Sequence, residues 1–367
     1  MQRQRQLCTV KGVTDMPKSK YTDLKNVSDV VISTRIRFAR NLREFPFPCR
    51  MNDEKKRRVA GIVKAAVLDG HSAISDRFSY IQMSELTQEE AVSLVERHLV
   101  SPEFISERQG RGLLLLDDES VSIMINEEDH VRIQVIGQGM KLDETFDLAD
   151  KIDTLLDEQL DFAFNDKLGY LTQCPTNIGT GMRASLMLHL PALKESGAMG
   201  KISASLSKLG LVIRGIYGEG TEPSGAIYQL SNQVTLGISE REAINNLRDI
   251  AFQLVTQERN AREALSDNIS VLDKIYRSYG ILLYARLVSN EECMKLISNV
   301  RFGVEMGLFD NIDIDTINRL IVEIQPATLM KNVGKKLTAV ERDPIRAELV
   351  RTAISQHKIP TSHRLEE

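Results

Sequence analysis

Cysteine is scarce and scattered in this 367-residue chain: Cys8, Cys49, Cys174 and Cys293 form no CxxC pair. That excludes a disulfide framework and a cysteine-based zinc site, and it fits a reducing cytoplasm. An excess of charge of one sign is absent as well. With 47 Lys and Arg against 51 Asp and Glu, the formal charge of −4 provides no global field for gathering nucleic acid or an acidic membrane surface. Any anion must be held by local clusters. No run of about 18 apolar residues is present, and the polar opening MQRQRQ lacks the apolar centre of a signal peptide. A soluble, cytoplasmic protein is expected, with no direct contact to nucleic acid or membrane.

Three common nucleotide-binding signatures are missing too. There is no GxxxxGK[ST], no strand leading into GxGxxG, and no HRD with DFG, which argues against a P-loop enzyme and an ordinary protein kinase. If phosphates bind here, other groups hold them.

What is present reads as two domains behind a short lead-in, as the length allows. Residues 1–28 are polar and poor in apolar positions, a loosely ordered lead-in. DVVISTRIRF alternates and is β-branched, which predicts a strand from near Val30. The spacing from Asn52 to Val67 predicts a helix, and LTQEEAVSLVERHLV carries a capping box, Thr87 with Glu90, that opens another. RGLLLLDDES, VSIMINEE and HVRIQVIG follow in the rhythm of an antiparallel meander. Residues 142–164 return to helical spacing. LTQCPTNIGTG reads as strand then loop, ASLMLHLPAL as a strand, KISASLSKLG as a short helix, GLVIRGIYG as a strand and AIYQLSNQVTLGIS as a hairpin pair. Strands in runs, without strict βαβ alternation, make residues 29–265 an α+β unit whose antiparallel β-sheet is flanked by helices. From Glu240 onward Ala, Leu, Arg, Glu and Ile recur at spacings of three and four. An all-α domain is therefore expected over residues 266–367, joined through a long helix near residue 265.

The residues able to do chemistry cluster at strand ends. NEEDHVR, residues 126–132, puts three acids, a histidine and an arginine directly after the apolar run SVSIMI. Arginine recurs in the same setting, as Arg35 and Arg37 in STRIR, Arg132, Arg183 in CPTNIGTGMRAS and Arg214 in VIRGIYGEG. A guanidinium grips phosphate oxygens in pairs and stays charged at physiological pH. Arg35 and Arg37 share one strand face, and two like charges there call for a multivalent anion or for several acids. Taken singly, each of these arginines reads more readily as part of a solvated edge strand. Glu127, Glu128 and Asp129 beside Arg132, and Glu219 after Arg214, are readable as salt-bridge partners or as ligand-binding acids. Gly218-Glu219-Gly220 and Gly179-Thr180-Gly181 bring flexible backbone against charge, as turns do and as sites of close ligand approach do.

In order and spacing, STRIRFARNL, NEEDHVRI, LGYLTQCPTNIGTGMRASLMLHLP and RGIYGEGTEPSGAIYQLSNQVTLGISE resemble the signature segments of the phosphagen (ATP:guanidino) kinase catalytic domain, over about residues 28–250. The resemblance implies a glutamine synthetase/guanidino kinase-like fold for this part. Phosphagen kinases carry a helical domain of roughly 100 residues ahead of the catalytic one, which selects a small guanidino substrate. Here the first motif begins at residue 33, and the helical domain comes last. Within that domain, ERDPIRAEL resembles the RDxxRA element of bacterial protein arginine kinases. That family implies transfer of the γ-phosphoryl group of ATP to arginine side chains of proteins.

By this resemblance Arg35, Arg37, Arg132, Arg183 and Arg214 hold the ATP phosphates. The neighbouring Ser33, Thr34, Ile36, Ala184, Ser185, Leu186, Met187, Gly215, Ile216, Tyr217, Gly218 and Glu219 complete the nucleotide-binding segments, with Mg²⁺ accompanying ATP and no residue assigned to a metal. His98 in VERHLV contacts the nucleotide, or else is a histidine on a helix surface. Glu128 and Glu219 clamp the acceptor guanidinium, with Glu128 as the general base. Cys174 lies near the acceptor, where arginines favour its thiolate and sensitivity to oxidation, or else is a small buried hydrophobe. Arg342, Asp343, Pro344, Ile345, Arg346 and Ala347 form a phosphoarginine pocket, although Asp343 as N-cap with Pro344 at N1 also makes an ordinary helix start. The family further implies a homodimer, an activator protein and a Clp protease as partners in stress-regulator and damaged-protein degradation. Two rivals remain at this level: a small-molecule guanidino kinase, and an inactive adaptor that only binds phosphoarginine.

Overall fold

The computed structural model describes residues 26–70, 74–215, 224–309 and 312–355. The chain enters β1 (Val31–Arg40), in which Thr34, Ile36 and Phe38 are buried while Ser33, Arg35 and Arg37 are only half-buried. It continues through α1 (Asp53–Leu68), where the Asn52 side chain accepts the Lys55 amide as N-cap, into β2 (Phe78–Gln82). Thr87 and Glu90 close the expected capping box of α2 (Gln88–Glu96), which is followed by α3 (Pro102–Ser106). β3 (Gly112–Leu116), β4 (Val121–Ile125) and β5 (Val131–Gln138) form the antiparallel meander, and α4 (Leu142–Asp157) follows.

A two-stranded ribbon of β6 (Phe164–Asn165) and β7 (Gly169–Tyr170) precedes β8 (Met182–His189), then α5 (Pro191–Glu195), α6 (Met199–Lys208), β9 (Leu211–Gly215) and β10 (Ile227–Asn232). The long α7 (Glu240–Leu265) leads to α8 (Ile269–Tyr284), α9 (Asn290–Glu305), α10 (Ile314–Glu323), α11 (Pro326–Val333) and α12 (Ala339–Ser355).

Eight strands make one wholly antiparallel sheet in the order β2-β3-β4-β5-β1-β8-β10-β9. One face is apolar and packs on α1, α4 and α7 through side chains such as Ile36, Phe38, Ile133, Leu186, Phe146 and Leu247. The other face is covered only at its flanks. At the β2 to β4 side, Leu113, Leu115 and Met124 meet Leu94 of α2 and Phe104 of α3. Toward β8 and β10 it meets a second core, that of the C-terminal helices, which includes Ile227, Ile275, Ile297 and Ile317.

Two polar joints fix the helices to the sheet. Asp29 and Glu305 sit among Arg259, Arg262 and Arg301, with Arg262 2.8 Å from Glu305 and Arg259 2.6 Å from Asp29. At the other end Glu96, last residue of α2, accepts the Ala327 and Thr328 amides at 3.0 and 2.7 Å and so caps α11.

Two expectations are corrected. AIYQLSNQVTLGIS contributes a single strand, β10, and no hairpin. Asn232 ends it by donating to the Met182 and Val234 carbonyls while accepting the Ala184 amide, which draws the following residues off the ladder. Helix α12 begins a turn before Asp343, because Thr338 and Glu341 exchange the capping hydrogen bonds, and Pro344 lies inside the helix.

Candidate active site

NEEDHVR forms the turn of the β4–β5 hairpin, closed by the Asn126 amide on the His130 carbonyl at 3.0 Å. Asn126 takes a left-handed conformation (φ 62°), which asparagine tolerates, and its amide donates to the Lys56 and Gly110 carbonyls at 2.8 and 2.7 Å. The charged residues then divide by role. Asp129 is buried and accepts from Asn41 at 2.6 Å and from the Gln173 amide at 2.7 Å. His130 is buried between the Leu42 amide, which donates to Nδ1, and the Pro46 carbonyl, 2.9 Å from Nε2. Burial pushes its pKa down to about 4, so the ring is neutral with its proton on Nε2. Glu127 accepts from Ser101 and pairs with Arg132; burial opposes its charge, but these partners outweigh it and hold the carboxyl below the usual range.

Glu128 alone of the three acids is exposed. Partial burial and the neighbouring Asp129 and Glu127 raise its pKa against the pull of Arg132 and Arg183.

Strand register gathers the arginines. Arg37 stands opposite Arg183, Arg35 opposite Ser185, and Ala39 opposite Arg132. Ser33, Met187, Gln229 and Arg214 form a row across β1, β8, β10 and β9. Directly opposed residues share a sheet face, so all five arginines lie on the face opposite the apolar one. Arg35 donates to Gln229. Burial and the like charges of Arg132 and Arg183 bring its pKa down to about 10, and the same causes, with Arg35 added, lower Arg37 further. Arg183 is lowered by burial and by Arg132 and Arg214. The buried Nε of Arg37 has no hydrogen-bond partner among the described residues. Such a cluster is electrostatically incomplete, and a polyanion completes it.

Two cavities open on this face. The larger, of about 690 Å³, is bounded by Ser33, Arg35, His98, Ser185, Met187 and Gln229 from the sheet side. Its roof comes from α10 and α11, with Asp315, Arg319, Glu323, Thr328 and Asn332. His98 lies beyond the C-terminus of α2 in a left-handed conformation (φ 62°), and burial beside Arg35 lowers its pKa to about 4, so it presents a neutral ring. The smaller cavity, of about 150 Å³, holds Arg37, Arg132, Arg183, Glu128 and Cys174. There the Cys174 sulfur lies 3.1 Å from the Thr176 hydroxyl.

Not every residue of the expected segments reaches a cavity. Thr34, Ile36, Ala184 and Leu186 alternate onto the apolar face and are fully buried, Thr34 donating to the Gly139 carbonyl. They shape the strands and turn their side chains away from both cavities, as the two-residue period of a strand requires. Arg214 and Gly215 close β9, while Ile216, Tyr217, Gly218 and Glu219 lie outside the described residues. The roof residues of α10 and α11 were not expected at all. No spacing in the sequence signals them, because they reach the site from helices far along the chain.

At the segment 342–347, Arg346 is buried and spends its donors on the Ile324 and Val288 carbonyls at 2.9 and 3.0 Å and on Asp343 at 2.7 Å. Ala347 is in the core, whereas Pro344 is exposed and Ile345 half-buried. The Nε of Arg342 is buried without a hydrogen-bond partner among the described residues.

Residues 58–261 match the family described as ATP:guanido phosphotransferase, C-terminal catalytic domain, and residues 268–365 match Protein-arginine kinase McsB C-terminal domain. The protein-arginine kinases of Caldanaerobacter subterraneus subsp. tengcongensis and Halothermothrix orenii are each 47% identical over 330 residues, covering 89% of this chain and 98% and 93% of theirs. The chain belongs to the protein-arginine kinase family. Among solved structures, a lombricine kinase is 30% identical with a TM-score of 0.57, over 65% of this chain and 68% of that one. The duplicated taurocyamine kinase from Schistosoma mansoni with bound transition state analog components has a TM-score of 0.60 at 27% identity, over 72% of this chain and 40% of that one. These guanidino kinase folds fit the antiparallel sheet flanked by helices found here.

Proposed function

We propose that this chain transfers the γ-phosphoryl group of ATP to the guanidinium of arginine side chains in proteins. The observation that carries the proposal is the registration of five arginines on one sheet face, of which Arg35 lines a cavity of nucleotide size and Arg37, Arg132 and Arg183 line a smaller one with Glu128. From Ser33 to Ala39 this lane runs about 20 Å at the usual rise of a strand. The neutral ring of His98 lines the base-and-ribose end. The triphosphate extends from Arg35 to Arg37, Arg132 and Arg183, and the acceptor enters beside Glu128.

Phosphoryl transfer spreads negative charge over the migrating group, so fixed guanidinium groups act mainly by positioning and electrostatic stabilisation. The incoming arginine is a poor nucleophile while cationic. Glu128 accepts a proton from the attacking nitrogen; the new N–P bond forms as the bond to the bridging oxygen breaks, and ADP leaves with that electron pair. The raised pKa of Glu128 suits proton acceptance, and its charge compensates the acceptor. Glu219 is assigned to the same clamp from the resemblance of its motif. Mg²⁺ bound to the phosphates would shield their charge. The ion is assigned to the nucleotide and to no residue of the chain.

The resemblance extends the proposal to a cytoplasmic enzyme that works as a homodimer with an activator and a Clp protease, and that binds phosphoarginine at residues 342–347. The free Arg342 Nε and the exposed Ile269, Tyr276 and Tyr284 of α8 are the structural features in favour of product binding and self-association. No helix among the described residues is long and apolar enough to cross a membrane.

The test is incubation of the full chain with Mg-ATP and either an arginine-rich protein or free arginine, followed by mass spectrometry under conditions that preserve P–N bonds. Phosphoarginine in the protein is expected. Phosphate on free arginine alone, or no transfer, would overturn the proposal.

A further inference from the structure

Beside the acceptor cavity lies an apolar groove that the transfer chemistry does not use. It encloses about 230 Å³ and is lined by Phe164, Leu168, Tyr170, Leu236 and Ile238, with Lys167 and Glu240 at its rim. Phe164, Leu168 and Leu236 are 47, 44 and 51% exposed. Val234 and Leu209 are exposed as well, at 47 and 52%, with Val234 lying against Gly210 next to Leu209. These five are the large apolar side chains exposed among the described residues up to Leu265; the others follow in the C-terminal helical part. Single exposed apolar residues need no explanation, but a patch of this kind marks a binding surface.

The groove and the acceptor cavity share a wall. Thr176, Asn177 and Gly181 face the acceptor cavity, while Gly179 and Thr180 face the groove. The wall is one chain thick and rigidly held. Thr235 donates its hydroxyl to the Thr176 and Ile178 carbonyls at 2.9 and 2.8 Å, and accepts the Thr180 amide at 3.0 Å through its own carbonyl. The floor is equally fixed, because the buried Arg40 guanidinium stacks 3.4 Å from the centroid of Tyr170 while paired with Asp153.

We infer that this groove binds the polypeptide on either side of the target arginine, taking an aliphatic or aromatic side chain of an extended segment. The inference rests on the proposed transfer to protein arginine. Continuity across the shared wall selects this occupant: a chain whose guanidinium enters the acceptor cavity passes over Gly179 to Gly181. At roughly 3.3–3.6 Å per extended residue, an apolar residue within about three positions of the arginine reaches the groove. Folded proteins keep such residues inside, so the groove favours segments that are extended and locally unfolded.

The test uses the full chain and fluorescent peptides containing one arginine flanked by Leu and Phe or by Ser. Binding is read by anisotropy in the presence of ADP, and KM and kcat by phosphoarginine formation. Apolar flanks are expected to tighten binding and lower KM by about tenfold, with kcat unchanged. In the Leu168→Ser, Leu236→Ser double variant the two peptides should converge on the weaker value. Its ATP KM, its kcat on the Ser-flanked peptide and its melting temperature should stay as they were. Equal binding of both peptides to the parent chain, a preference that survives in the variant, or a change in sedimenting mass that assigns the groove to a second copy would each overturn the inference. A flank preference in binding without transfer to either peptide would instead overturn the proposed activity and leave the groove as a peptide site.

Discussion

Arg37 and Arg183 stand directly opposite each other across the β1–β8 ladder, so two guanidinium groups share one position on the sheet face. Like charges so placed oppose folding by up to about 1 kcal/mol relative to a neutral pair. Arg37→Met is therefore expected to leave the fold at least as stable as the parent in urea unfolding. Transfer should fall about 10²- to 10³-fold, the usual cost of removing one preorganised donor to a transition state. A large loss of stability would mean that Arg37 serves the fold, contrary to its role here.

Glu128 sets a pH dependence of definite sign. Its pKa lies above the usual glutamate value because of partial burial and the adjacent acids. The proposed proton acceptor is inactive when protonated, so kcat/KM should fall as pH drops through this raised pKa, at a higher pH than for a free glutamate. Glu128→Gln should lower kcat by about 10²- to 10⁴-fold and abolish that acid limb. A pH profile unchanged by the substitution would exclude Glu128 as the base.

The capping of α11 by Glu96 ties the larger cavity, the proposed nucleotide site, to the docking of the helices. Glu96→Ala removes acceptors from the Ala327 and Thr328 amides, a loss of about 1 kcal/mol for a cap. Because Thr328 and Asn332 line the cavity, KM for ATP should rise several-fold with little change in kcat, as measured by initial rates at saturating acceptor.

Stability should also depend on pH through His130. Its folded pKa of about 4 lies below the unfolded value near 6.5. Between these values the unfolded chain binds the proton and the folded one does not, so stability is complete above pH 6.5 and declines as pH falls toward 4. Urea midpoints measured from pH 7 to 4.5 should fall. The variant His130→Asn, though less stable at pH 7, should show a shallower decline.

Much of this arrangement is legible in the sequence. The capping box at Thr87 and the helix starting at Asn52 follow from local hydrogen bonding, which depends on neighbours in the chain. The i, i+2 spacing of Arg35 and Arg37 likewise fixes their common face. What is not legible depends on register: only the pairing of β1 with β5 and β8 reveals that Arg132 and Arg183 join them, and that Thr34 and Leu186 do not. The same holds for Asp315 and Asn332, brought over the sheet by the packing of α10 and α11. At α12, Thr338 and Glu341 out-compete the equally plausible start at Asp343 and Pro344.

The alternation of β1 ties assembly to competence. Moving that strand by one residue against its neighbours would drive Arg35 and Arg37 into the layer now occupied by Ile36 and Phe38, beneath α4 and α7. Two unpaired ions in that oily layer would be intolerable. The threading that buries the apolar side chains of this strand is consequently the one that sets its guanidinium groups beside the cavities, and a misthreaded sheet is rejected by its own core.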